Sequence, residues 1–306
     1  MRIGRAAAVS DTGLQRLRNE DAFVCEPPLF AVADGMGGAR AGEVAARLAA
    51  TALEEAGRSV DDVAGLISEA NRRIWERSLT DPLTTGMGTT VTAALVDGSG
   101  RTVTIGHVGD SRAYLHRSGA LEQLTSDHSL VAELVEGGVL TPEEAERHPQ
   151  RSAITRALGT EPTVEVDVFT VESAPGDLFL LCSDGLSSMV ADEDVASVIE
   201  GAELDPAQAA EALVAAANAR GGQDNITVVL FEIVEGDPAG AVPEVTLGSD
   251  PAGGQTPEPP PPGDGAQRSA PVSTHGAGKG GRLPALLLVL SVLAVGALLL
   301  YWGISR

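Results

Sequence analysis

The amino-acid sequence predicts an α+β fold in which mostly antiparallel sheets are covered by helix pairs, and three observations predict it. Short apolar runs of β type come in groups instead of alternating strictly with helices, which is the pattern of a layered α+β structure and not of a doubly wound sheet. Several of these runs are joined by tight turns, such as Asp97-Gly98-Ser99-Gly100, which favour antiparallel hairpins. The chain of 306 residues is 43% hydrophobic, enough for a substantial core.

Taken in order, the first predicted strand is 30–33, an apolar run stopped by Asp34-Gly35. Apolar residues at helical spacing then predict helices over 42–56 and 61–78. Strands follow at 89–96, 102–108 and 113–116, rich in valine, threonine and isoleucine and separated by Gly- and Asp-containing turns. A short helix at 130–136 leads into a stretch of mixed pattern that runs to Gly159. Strands at 164–171 and 178–182 precede helices at 192–200 and 206–220, the last opened by Pro206. The final strand of the unit is 226–233.

Residues 1–235 read as one globular unit. From 236 to 282 proline and glycine dominate, including Pro259-Pro260-Pro261-Pro262, and this linker is expected to be disordered because it cannot bury enough apolar surface to offset ordering entropy. Residues 283–302 carry no charge and end in Tyr301-Trp302. As a helix they would extend about 30 Å, the thickness of a bilayer's hydrocarbon core, so a transmembrane helix is expected. Lys279 and Arg282 precede it and Arg306 follows, which points to a single-pass protein of the cell membrane with its large unit in the cytoplasm and residues 303–306 as a short tail outside. No secretory signal is visible after Met1.

The formal charge of −22 and pI near 4.5 exclude nucleic acid as a partner, since no basic stripe is present to neutralise phosphates. Cys25 and Cys182 lie within apolar runs and read as buried free thiols. No Cys/His spacing suits structural zinc.

Four aspartate motifs carry the chemistry: Asn19-Glu20-Asp21, Asp34-Gly35-Met36-Gly37-Gly38, Ser183-Asp184-Gly185 and Asp224-Asn225. Each sets a carboxylate at the edge of a strand-like run. Gathered together, such carboxylates would raise one another's pKa unless cations were present, and hard oxygen ligands select Mg²⁺ or Mn²⁺ over zinc. Glycine after Asp34 and after Asp184 allows close backbone approach, so that a carbonyl such as that of Gly35 can share an ion with the carboxylate. Arg16 stands three residues before Asn19. A surface arginine by itself, it becomes a candidate phosphate ligand beside Glu20-Asp21, because its planar fork matches two oxygens of a tetrahedral dianion.

In this order, together with Gly88-Thr89-Thr90, Gly109-Asp110-Ser111-Arg112, Thr125-x-Asp127-His128, the run from Ile154 to Gly159 and Asp224-Asn225-Ile226-Thr227, these blocks resemble the bacterial metal-dependent serine/threonine protein phosphatases of type 2C. The resemblance covers residues 5–234. It implies a four-layer αββα sandwich of two sheets flanked by helix pairs, with two or three Mn²⁺ or Mg²⁺ ions in a cleft at the sheet ends. It implies Asp34 as the bridging carboxylate, Gly35 as a carbonyl ligand, and Asp184 and Asp224 completing one ion's shell. Glu20 and Asp21 fall at a second ion, Asp110 and Asp184 at a third, with Ser152 supplying a carbonyl to that third ion, and Arg16 at the phosphate. The implied reaction is hydrolysis of phosphoserine and phosphothreonine on proteins by a water shared between two cations. Membrane Ser/Thr kinases and their substrates are the partners implied. The alternatives are a catalytically silent phosphoprotein-binding scaffold at the membrane, which would be expected to lack a ligand carboxylate, and a phosphatase for small metabolites.

Many eukaryotic relatives carry a histidine, proposed as the general acid, where this chain has Met36. The thioether cannot donate a proton. His128 is then either a replacement acid or a structural histidine bonded to backbone. His107, His116, His148 and His275 show no ligand spacing.

Overall fold

The computed structural model describes residues 1–37, 41–57, 62–237 and 243–248. The expected transmembrane helix 283–302, the tail 303–306 and most of the expected linker lie outside the described residues. Among the described residues no helix is long and apolar enough to cross a membrane.

The chain opens with strands β1 (Arg2–Asp11), β2 (Ala22–Glu26), β3 (Leu29–Ala33) and the short β4 (Gly35–Met36), then helices α1 (Ala41–Gly57) and α2 (Val63–Thr80). Strands β5 (Gly88–Thr89), β6 (Val91–Val96), β7 (Thr102–Val108), β8 (Arg112–Arg117) and β9 (Ala120–Gln123) follow. Short helices α3 (Leu130–Glu136) and α4 (Pro142–Glu146) come next, then β10 (Asp167–Glu172), β11 (Leu178–Cys182) and the single turn α5 (Asp184–Ser187). Helices α6 (Asp192–Gly201) and α7 (Pro206–Ala219) and strands β12 (Ile226–Val234) and β13 (Glu244–Leu247) complete it.

The strands form a six-stranded sheet in the order β13-β1-β12-β11-β8-β9 and a five-stranded sheet in the order β10-β7-β6-β3-β2, with β4 and β5 paired separately. Pairing is antiparallel except where β13 lies parallel to β1.

Three apolar clusters define four layers. Phe30 and Val32 of β3 pack with Phe179, Leu181, Val229 and Phe231 of the other sheet. The Phe30 and Phe231 rings stack at 4.1 Å. The alternate β3 residues Leu29, Ala31 and Ala33 face α1 and α2 instead, as the period of two along a strand requires. Ala45, Ala46, Ala49 and Ala52 of α1 are fully buried, and their small side chains let the helix lie close to the sheet. On the opposite side Leu178, Leu180, Val228 and Leu230 pack against α5, α6 and α7. The αββα expectation therefore holds. Cys25 and Cys182 are buried free thiols, as expected.

The long predicted elements are present with ends displaced by a few residues; β10 starts at Asp167, three residues inside the expected start. Two differences have clear causes. β1 was not anticipated, because Ala6-Ala7-Ala8 has weak strand propensity, yet Ala6 and Ala8 face the second sheet and Ala7 faces the helices. β13 lies inside 236–282, where no structure was expected. All four of its side chains are exposed, so it is held by backbone pairing along the free edge of β1 and needs no apolar burial.

Candidate metal centre

Strand register brings the aspartate motifs to one end of both sheets. Asp11 at the end of β1 pairs with Ile226 at the start of β12, and Cys182 at the end of β11 pairs with both Val228 and Arg112. In the other sheet Ala33 pairs with Ala22, Val32 with Thr92, and Val91 with Val108. The segments that hold Arg16, Glu20, Asp21, Asp34, Asp110, Asp184 and Asp224 all leave from these ends.

Hydroxyls and amides hold the segments that carry Asp34, Asp110, Asp21 and Glu20. The Asp34 N–H donates to Thr90 Oγ1 at 3.1 Å, while the Asp34 carbonyl accepts from the Thr89 hydroxyl at 2.8 Å and the Thr90 N–H at 2.9 Å. Thr90 Oγ1 in turn lies 2.6 Å from Ser111 Oγ, which ties the Asp34 strand end to the Asp110 turn. The Thr227 hydroxyl donates to Asp21 Oδ2 at 2.7 Å. Asn225 is the clamp between distant loops: its Nδ2 donates to the carbonyls of Thr12 and Arg18 at 2.9 and 2.8 Å, and its Oδ1 accepts from the Glu20 N–H at 2.8 Å. At Gly35 a Cβ would strike the carbonyl oxygens of Glu20 and Gly42, so only glycine lets these three backbone segments meet.

Asp34 feels the charges of Asp21, Asp184, Asp110 and Asp224. Burial, reinforced by those neighbours, holds its carboxyl well above the usual carboxylate range. Burial first and neighbouring carboxylates second also push Asp21 and Asp110 up to about 7 and Asp184 up to about 6. Desolvation raises Glu20 as well, against the pull of Arg16. Arg16 Nη2 sits 2.6 Å from Asp224 Oδ2.

These residues fit divalent cations. Asp21 Oδ1 and Asp184 Oδ1 are buried without a hydrogen-bond partner, and an acceptor-only oxygen in that position calls for a cation or a donor. The donors are all hard oxygens, as Mg²⁺ and Mn²⁺ require.

The structure thus gathers Arg16, Glu20, Asp21, Asp34, Gly35, Asp110, Asp184 and Asp224 at one end of the fold. Ser152, expected to act through its backbone carbonyl, lies exposed in a turn. His128 has both ring nitrogens engaged, Nδ1 accepting from the Gly109 N–H at 3.0 Å and Nε2 facing Asp167 Oδ2 at 3.1 Å, in keeping with the structural alternative. Sequence reasoning assigned no role to Thr89, Thr90, Ser111, Asn225 or Thr227, although each lies within a quoted motif; the sign available was a hydroxyl or amide within the Asp110 and Asp224 blocks and in the Gly88-Thr89-Thr90 motif.

Comparison with known proteins agrees with this geometry. The family model described as protein phosphatase 2C matches residues 15–219. The chain is 43% identical over 239 residues to the serine/threonine protein phosphatase PstP of Mycobacterium tuberculosis, a match covering 76% of this chain and 46% of that protein. It therefore spans about half the length of that relative. It is 40% identical over 238 residues to the serine/threonine phosphatase stp of Listeria monocytogenes, covering 73% of this chain and 93% of the listerial one. A crystal structure of the catalytic domain of PstP in complex with two manganese ions superposes with a TM-score of 0.70 at 39% identity, covering 76% of this chain and 99% of that one.

Proposed function

Because the chain belongs to the protein phosphatase 2C family, we propose that it is a metal-dependent serine/threonine protein phosphatase whose site is the carboxylate cluster described above. The observation that carries the proposal is that five aspartates from five separate segments share one end of the fold, two of them with buried oxygens lacking a partner.

In this reading Asp34, with the Gly35 carbonyl, Asp184 and Asp224, would hold one divalent cation, and Asp34 with Asp21 and Glu20 a second. Asp110 and Asp184 would hold a third. Mn²⁺ or Mg²⁺ bound there supplies Lewis acidity, making water acidic enough to attack phosphorus at neutral pH and neutralising charge on the phosphoryl oxygens. The protein's own groups do the rest. Arg16, more than half exposed, orients the phosphate through its guanidinium fork. Thr89, Thr90 and Asn225 fix the backbone beside the ligands, so geometry is set before substrate arrives. No side chain needs to act as nucleophile. Met36 offers no proton and His128 is committed to Asp167, which leaves protonation of the departing serine or threonine oxygen to solvent.

Substrates would be phosphoproteins. The uncharged segment 283–302 supports a membrane tether with the domain in the cytoplasm, and the Pro/Gly-rich segment before it would let the domain reach kinases and their substrates at the same membrane. Purified full chain should release phosphate from a phosphothreonine peptide with Mn²⁺ and stop when chelator is added; activity that persists in chelator would remove the metal mechanism. Membrane fractionation that leaves the chain soluble while a 1–248 truncation behaves identically would remove the tether.

A further inference from the structure

The Gly109–Ser111 turn carries Asp110, and one side chain grips that turn from behind. The His128 backbone N–H donates to the Gly109 carbonyl at 2.7 Å, and the Gly109 N–H donates back to His128 Nδ1 at 3.0 Å. With Nδ1 accepting, the ring proton sits on Nε2 and donates to Asp167 Oδ2 at 3.1 Å. The other oxygen of Asp167 accepts from Arg156 Nη1 at 2.6 Å. Arg156 Nη1 and His128 Nε2 lie 3.2 Å apart; both are donors, brought together by the carboxylate they share.

His128 is 8% exposed, and its ring packs on that of His107 at 4.6 Å. It also meets the returning end of the 130–153 segment: its carbonyl accepts from the Thr155 N–H at 2.9 Å, and the next residue, Ser129, bridges to Ile154. Gly109 itself leaves no slack, since its φ is +115° and a Cβ there would collide with the Thr90 side chain. The turn is therefore pinned between Thr90 and Ser111 on one side and His128 on the other.

We propose that His128 is a positioning residue for Asp110. It sets the Gly109–Asp110 turn by its two-bond clasp and, through Asp167 and Arg156, links that turn to the end of the 130–153 segment. The inference rests on the metal reading of the site. A group that orients a ligand without touching the ion commonly contributes 10–100-fold in metal affinity. Here the effect should fall on the cation at Asp110 and spare the ions at Asp21 and Asp34, whose seats are made by Thr227, Thr89 and Thr90.

The test is Mn²⁺ binding to the full chain in mild detergent, by calorimetry and by electron paramagnetic resonance of free Mn²⁺. Asp110→Asn should remove one class of sites and so identify it. His128→Gln keeps a donor near the place of Nε2 but loses the acceptor to Gly109, and should weaken that class alone by about 10-fold or more. His128→Asn puts a carbonyl oxygen where Nδ1 was and should retain affinity within about threefold, the Gly109 bond being kept. Wild-type affinity in His128→Gln would overturn the proposal, and so would equal weakening of every class together with a lower melting temperature. Should His128→Gln fail to fold, Asp167→Asn decides: a smaller weakening confined to the same class is expected, and no change overturns the inference. If Asp110→Asn matches wild type, there is no ion for His128 to position and the inference falls, while the other sites stand. If wild type binds no Mn²⁺ at all, the metal reading itself fails.

Discussion

Arg16 Nη2 lies 2.6 Å from Asp224 Oδ2, joining the loop before β2 to the loop before β12 across 208 positions of sequence. The pair is 55% and 30% exposed, so it adds little to stability, on the order of 0–1 kcal/mol. Its importance is chemical, because it holds a guanidinium beside the carboxylate cluster where a phosphate would be received.

Arg16→Ala should therefore leave the melting temperature within a few degrees of wild type, while kcat/KM for a phosphothreonine peptide falls about 10–100-fold, the loss of one charge-assisted contact worth about 1.5–3 kcal/mol. Steady-state kinetics beside a thermal melt separates the two effects.

Asn225→Ala removes the side chain that ties the Thr12 and Arg18 carbonyls to the Glu20 N–H. Asn225 is 4% exposed, so groups left unpaired cost about 1–3 kcal/mol each. A drop of several degrees in melting temperature and weaker Mn²⁺ binding are expected, read by calorimetry.

Gly35→Ala would drive a methyl group into the carbonyl oxygens of Glu20 and Gly42. Backbone must shift on both sides, at a cost of about 2–4 kcal/mol, and urea denaturation should show it.

The acids of the site give a pH signature with a definite sign. Asp21 and Asp110 are pushed up to about 7 and Asp184 up to about 6 in the folded protein, by burial and mutual repulsion. Groups raised in this way contribute stability below the unfolded carboxylate pKa of about 4. That contribution is lost as pH rises through 6–7. Metal-free protein should thus lose stability between pH 5 and 8, and Asp34→Asn should lessen the loss. Binding Mn²⁺ must displace these protons, so the rise in melting temperature on adding Mn²⁺ should be larger at pH 8 than at pH 6.

How much of this was legible in the sequence differs from element to element. β3 and β11 are unbroken apolar runs stopped by Asp-Gly, and their burial on both faces is what such runs signify. β1 was hidden because its alanines are chosen for close packing between layers and not for strand propensity. β13 was hidden because edge pairing leaves no pattern in the side chains. At the site the aspartates were readable from their place at strand ends. The groups that seat them were not, since Asn225 finds Glu20 from 205 positions away, a relation that no local pattern encodes. Ser152 was expected at the site through its backbone carbonyl, and its turn is exposed; position within a stretch of mixed pattern does not fix which way a turn faces.

The most direct test of the central claim is phosphate release from a phosphothreonine peptide by the full chain, measured in Mn²⁺, in chelator, and with Asp34→Asn in Mn²⁺. The account predicts turnover in the first case alone, with Asp34→Asn also binding Mn²⁺ more weakly. Turnover that survives chelator, or an inert wild type beside an Asp34→Asn variant that binds Mn²⁺ equally well, would contradict it.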